Sequence, residues 1–147
     1  MFYLDVCCLN RPFDDQHQVR VRIEAEAVLA LMGLTAGSDF GLVSSEVVEL
    51  EADQNPDAEI RSRVWQLLTQ TRTTIRLGPT ERRRGIELQT LGFGAFDALH
   101  LACAEAGQAE VLLTTDDRLR NRARKHEAVL GVRVENPATW YTEVITT

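Results

Sequence analysis

Apolar and polar positions along this chain follow two periods. Short apolar runs fall at residues 2–6, 40–43, 110–114 and 132–135, and a β-prone piece spans 74–77; runs of that length between turn residues predict strands. Between them lie longer segments with helical spacing. Residues 19–34 carry Val19, Ile23, Ala27, Leu29, Ala30 and Leu34 at that spacing. Ser44 and Ser45 precede Val47, Val48 and Leu50 and suit the cap of a helix that Asn55 and Pro56 end. Asp57 then caps a helix to about residue 69, whose Val64, Trp65 and Leu68 suit core or a dimer face, core being favoured. Pro79 opens a charged helix that ends near Gly92. Residues 94–106 form a helix closed by Gly107, residues 116–126 a basic helix, and Pro137 opens the last one. Strands separated by helices predict an α/β fold over a single domain, residues 1–147: a mostly parallel sheet with helices on both faces. In such sheets, sites form at the carboxyl ends of the strands.

Composition adds little to the fold and more to the chemistry. The 147 residues, 44% of them hydrophobic, can bury a core without staples. Cys7, Cys8 and Cys103 are odd in number and make no CxxC pair, which points to reduced thiols and a cytoplasmic protein. The start, MFYLDV, lacks the basic region of a secretory leader. No apolar run approaches the roughly 20 residues of a membrane span, so no membrane partner is expected. A net charge of −6 argues against nucleic acid on average. The cations are unevenly placed, however: Arg82, Arg83 and Arg84 form one run, and Arg118, Arg120, Arg122, Arg124 and Lys125 another. Arginine offers phosphate two parallel hydrogen bonds; the same runs also suit a solvated helix face.

The acids change the picture most. Asp5 ends the first apolar run, where a lone buried charge is costly. Asp116 lies just beyond the strand at 110–114, acids follow Ser44 after the strand at 40–43, and Asp97 opens a helix. Singly, Asp97 and Asp116 suit helix N-termini, and Glu46, Glu49 and Glu51 suit a helix surface. Jointly, the strand ends project carboxylates toward one edge of the sheet. Such a group needs protons or cations for neutrality. An all-oxygen set suits Mg2+ or Mn2+, which can activate water for phosphodiester hydrolysis. His17, His100 and His126 are scattered and show no zinc spacing. His100 lies on roughly the face of Asp97, three residues on, where it either assists the acids or packs within the fold, packing being favoured.

The segments FYLDVCCLN, GFGAFDALHLACAEA and VLLTTDDRL resemble the three signature segments of PIN-domain proteins, in order and approximate spacing, over nearly the whole chain. The resemblance implies a PIN-like three-layer α/β/α fold and a metal-dependent ribonuclease acting on single-stranded RNA, with Mg2+ or Mn2+ as cofactor. It further implies a toxin with a cognate antitoxin protein, and a homodimer. Carried over, Asp5 is the first family acid, Asp97 the acid of the long helix and Asp116 that of the T-x-D segment, with Thr114 as its threonine; these three acids are the expected metal ligands. The second family acid falls on Glu51, six residues past Ser45, with Glu46 kept beside it. Thr114, Arg118 and Arg122 are the expected substrate contacts. Cys7 stands where the family more usually has asparagine, which departs from its D-x-N spacing and puts a role for Asn10 in doubt. Asp117 has no family counterpart.

Two other classes remain open at this point. A PIN-like scaffold that binds RNA or protein without cutting has the same acids but shows no metal-dependent cleavage. A phospho-acceptor regulatory domain also groups acids at strand ends, but needs a placed lysine, and the one lysine, Lys125, lies far along a helix.

Overall fold

The first apolar run opens without polar alternation, the pattern of a strand buried on both faces. Phe2–Leu4 forms β1, fully buried at the centre of a parallel sheet. In the computed structural model, which describes residues 1–37 and 39–147, the other strands are β2 (Leu42–Ser45), β3 (Thr71–Ile75), β4 (Val111–Leu113) and β5 (Arg133–Glu135). Their order is β3-β2-β1-β4-β5, and every pair is parallel. Successive side chains of a strand point to opposite faces. Phe2 accordingly packs its ring 5.8 Å from Trp140, while Tyr3 meets His100 at 5.7 Å on the other face.

The helices are α1 (Val6–Asn10), α2 (Val19–Leu34), α3 (Glu46–Asp53), α4 (Ala58–Leu68), α5 (Pro79–Gln89), α6 (Ala95–Ala106), α7 (Asp117–Lys125) and α8 (Pro137–Thr146), with a 3-10 turn at Arg11–Phe13. The helix carrying Trp140, α8, packs on α2; the helix carrying His100, α6, packs on α5. The result is the expected three-layer α/β/α arrangement. The chain steps outward from β1 through β2 to β3, then returns to β4 on the other side of β1. Connections therefore diverge beside β1, which leaves a crevice beyond the carboxyl ends of β1 and β4.

Several boundaries differ from the sequence pattern. The first strand stops at Leu4 because Asp5 caps α1, accepting from the Val6 amide at 2.8 Å; that helix is absent from the pattern. The second strand is shifted two residues, so Ser44 and Ser45 belong to it, and Ser45 caps α3 by accepting from the Val48 amide at 3.2 Å. The β-prone piece lies earlier, at β3, an edge strand in which β-branched threonines tolerate partial exposure.

The helix α2 turns a different face inward than its apolar spacing suggests. Val21, Ala25, Val28, Leu31 and Met32 are buried, whereas Val19, Ile23 and Leu29 are about half exposed. The helix is apolar on more than one side, so spacing alone does not select the buried face. A carboxylate decides it: Glu24 is buried and accepts from Arg11 Nε at 2.9 Å, Arg20 Nε at 3.1 Å and Asn136 Nδ2 at 2.5 Å. Arg20 continues to both oxygens of Asp117 and to the Thr115 carbonyl, each at 2.9 Å. This chain of ions ties α2 to the turn between β4 and α7, next to Asp116.

Candidate metal centre

The crevice collects acids from four segments. Asp5 follows β1 and is 9% exposed. Its Oδ1 accepts from the Val6 amide, and its Oδ2 accepts from the Thr114 hydroxyl at 3.0 Å and the Cys7 thiol at 3.4 Å. The Thr114 hydroxyl in turn accepts from the Asp116 amide at 3.1 Å. Asp116 caps α7, its Oδ1 accepting from the amides of Arg118 and Leu119 at 2.9 and 3.3 Å. The ordinary capping role is thus real for both Asp5 and Asp116, yet the cap of Asp116 uses only its Oδ1, and the cap oxygen of Asp5, Oδ1, also faces His100 Nε2 at 3.7 Å.

Asp97 lies in the first turn of α6, where the helix end favours a negative charge. Its carboxyl is nevertheless pushed up to about 6. Burial is the largest cause, and the charges of Asp5, Asp116 and Glu51 add to it, with His100 opposing. Those neighbours identify the acids that share its space. Glu51, on α3, completes the set through His100: its Oε1 is hydrogen-bonded to His100 Nε2, and that nitrogen lies 3.7 Å from Asp5 Oδ1. Asp5, Glu51 and His100 each offer one ligand atom within 4.8 Å of the others.

The second acid was open between two residues. Glu46 turns to the Leu77 amide, past β3, accepting at 2.8 Å, while Glu51 joins the group around Asp5. Asp117 is held outside it by Arg20, which keeps its carboxyl below the usual range. Thr114 is 1% exposed, with its hydroxyl engaged by Asp5 and Asp116. That position suits holding two acids in place, not the substrate contact expected of it. Arg118 and Arg122 are exposed on α7, above its buried Leu119 and Ala123, and Arg122 lies against Gly92 in the link between α5 and α6. Gly92 has φ +97°, a backbone conformation that favours glycine.

The pattern misses Tyr3, and with it the link to Ser45 and His100, which it names only as a cap and as a neighbour of Asp97. All are buried, and they form one hydrogen-bonded chain: the Tyr3 hydroxyl is 2.6 Å from both Ser45 Oγ and His100 Nδ1. Burial pushes the Tyr3 hydroxyl up. Burial lowers His100, but Glu51 and the charges of Asp5 and Asp97 outweigh it, so the imidazole lies above its ordinary value. The spacing of His100 from Asp97 was a signal for this, read as packing.

Chemically, four carboxylates and one imidazole in a crevice need a cation or protons. The donors are mainly oxygen and partly buried, which fits a hard divalent ion.

The family model described as PIN domain matches residues 3–125. No curated protein matches the chain. Among solved structures, the fold resembles VapBC2 from Rickettsia felis bound to a DNA fragment from their promoter, at 17% identity and TM-score 0.55, covering 92% of this chain and 98% of that one. A toxin-antitoxin complex from Klebsiella pneumoniae gives 18% identity and TM-score 0.61, and VapBC-1 from nontypeable Haemophilus influenzae 19% and 0.60; each covers 93% of this chain and 98% of the other. At these identities the likeness is one of fold.

Proposed function

The chain belongs to the PIN-domain family, and from that premise we propose that it is an endonuclease that hydrolyses single-stranded RNA with Mg2+ or Mn2+. The observation that carries the reading is the meeting of Asp5, Glu51 and His100, from three segments, with ligand atoms within 4.8 Å of one another, beside Asp97, on which the charges of Asp5, Asp116 and Glu51 act. Asp5, Glu51, Asp97 and Asp116 would hold the cation. When bound, it supplies a Lewis acid that offsets phosphate charge and activates water.

The chain's own groups do the rest. Thr114 fixes the Asp5 carboxylate and the Asp116 backbone in one register. Arg20 holds the turn that carries Asp116 by gripping Thr115 and Asp117. Arg118 and Arg122, exposed on the helix that leaves this turn, engage phosphates of the strand and offset the chain's negative balance locally.

Among the solved structures of similar fold, one is a toxin-antitoxin complex and two are VapBC structures, which supports the further reading that this chain is a toxin, restrained in the cytoplasm by a cognate antitoxin and acting as a homodimer. Among the described residues no helix is long and apolar enough to cross a membrane.

The test is cleavage by purified protein of single-stranded RNA, single-stranded DNA and duplex RNA, with Mg2+, Mn2+ or EDTA. The reading predicts cleavage of single-stranded RNA that EDTA stops. Metal-dependent cleavage of DNA alone overturns the substrate; absence of any cleavage by folded, inhibitor-free protein overturns the activity and favours a binding module.

A further inference from the structure

His100 is the nitrogen donor in an otherwise oxygen site, and its surroundings are specific. The ring is 1% exposed, and its two nitrogens have different tasks. Nδ1 faces the Tyr3 hydroxyl at 2.6 Å, which itself meets Ser45 Oγ at 2.6 Å. Nε2 faces Glu51 Oε1 and Asp5 Oδ1. Ligand atoms at adjacent corners of an octahedron with bonds of about 2.1 Å lie about 3 Å apart, and opposite corners about 4.2 Å apart. Asp5 Oδ1 lies 3.7 Å from His100 Nε2, within that range, and the ligand atoms of Asp5, Glu51 and His100 all lie within 4.8 Å of one another. Glu51 Oε1, hydrogen-bonded directly to Nε2, must draw back to admit a cation. Asp97 and His100, three residues apart on α6, project to the same side, a spacing that carboxylate–histidine pairs use to share one metal in helical sites.

Resting on the metal-dependent reading above, we propose that His100 is itself a ligand of the cation, through Nε2, and that it makes the site prefer Mn2+ to Mg2+. The Tyr3 chain supplies what a ligating histidine needs. In the metal-free site Nε2 carries a proton and donates it to the Glu51 carboxylate. Binding of the cation releases that proton to solvent. With a proton on Nδ1 the ring then donates to the Tyr3 oxygen, the Tyr3 hydroxyl donates to Ser45, and the Nε2 lone pair faces the cation. A hydrogen-bond partner on the far nitrogen fixes tautomer and ring orientation in this way. Imidazole nitrogen is a better donor to Mn2+ than to Mg2+, which holds to oxygen and water.

The experiment is pulsed electron paramagnetic resonance of Mn2+ bound to the full chain, read for nitrogen hyperfine coupling, with calorimetric Mn2+ and Mg2+ affinities. Wild-type protein is expected to show imidazole coupling that His100→Gln loses, with a large fall in Mn2+ affinity and little change for Mg2+. Tyr3→Phe keeps the ring and removes only the hydroxyl. It should retain the coupling but weaken Mn2+ binding about 10-fold, which keeps the test informative if His100→Gln does not fold. Bound Mn2+ without nitrogen coupling, or coupling that survives in His100→Gln, overturns the ligand assignment and leaves the nuclease reading standing. Failure of both Mn2+ and Mg2+ to bind overturns the assignment and the metal-dependent reading together.

Discussion

The Thr114 hydroxyl donates to Asp5 Oδ2 at 3.0 Å, joining the end of β1 to the end of β4 across 109 residues of chain. The same oxygen accepts from the Asp116 amide, so one buried hydroxyl sets two of the acids. Thr114→Val keeps the shape and removes the bond. It should cost about 1 kcal/mol of stability and slow cleavage about 10-fold, the effect of losing a partner of a metal-binding group. Thr114→Ser should restore most of the rate. Denaturant unfolding and single-turnover cleavage measure the two effects.

Asp97 should stabilise the metal-free fold when its charge is removed. Its folded carboxyl, near 6, lies above the ordinary 3.8. The folded state therefore binds the proton more tightly, and stability falls as pH rises between these values. Asp97 is partly exposed, so solvent screening reduces the effect to about 1 kcal/mol near neutral pH. Asp97→Asn should raise the melting temperature of metal-free protein at pH 7 by a few degrees, leave it unchanged near pH 3, and abolish cleavage. Scanning calorimetry at the two pH values checks the sign.

The same group makes cation binding pH-dependent. A cation must displace the Asp97 proton, so affinity should weaken as pH falls through about 6. Calorimetric Mg2+ titrations at pH 5 and pH 7 should differ, and Asp97→Asn should reduce the dependence along with weakening binding, the remainder belonging to His100, whose imidazole lies above its ordinary value. An affinity that is level across this range would contradict the placement of Asp97 among the ligands.

Arg118 and Arg122 predict a salt signature. If each neutralises one RNA phosphate, replacing both by alanine should reduce the slope of log affinity against log salt by about 1.4, at about 0.7 per phosphate of a single strand. The change should be similar for every RNA sequence, since phosphate contacts carry no base information. Fluorescence anisotropy with a catalytically blocked variant measures it.

Much of this architecture is legible in the chain. Alternating strands and helices specify a parallel sheet, and Asp5, Asp97 and Asp116 can be read directly because strand ends and helix starts are set by local signals. Glu51 is less so: two turns of α3 contain Glu46, Glu49 and Glu51, and only the packed helix decides that Glu46 meets Leu77 while Glu51 meets His100. The short α1 hides inside an apolar run that reads as strand, since its only mark is the Asp5 cap. The inward face of α2 hides for the opposite reason: it depends on Glu24 finding Arg11 and Asn136, residues distant in sequence. His100, Tyr3 and Ser45 look like core positions, because a buried hydrogen-bonded chain leaves the same apolar periodicity as packing.

The most direct measurement is the rate of single-stranded RNA cleavage by wild-type and Asp5→Asn protein, purified identically, across a Mn2+ titration. Asparagine keeps an oxygen acceptor for the Val6 amide, so the fold should be retained. The account predicts saturable, Mn2+-dependent cleavage by the wild type and a loss of at least about 100-fold in Asp5→Asn, the scale of losing a group that holds the catalytic charge. Equal rates for the two proteins, or cleavage that persists in EDTA, would contradict it.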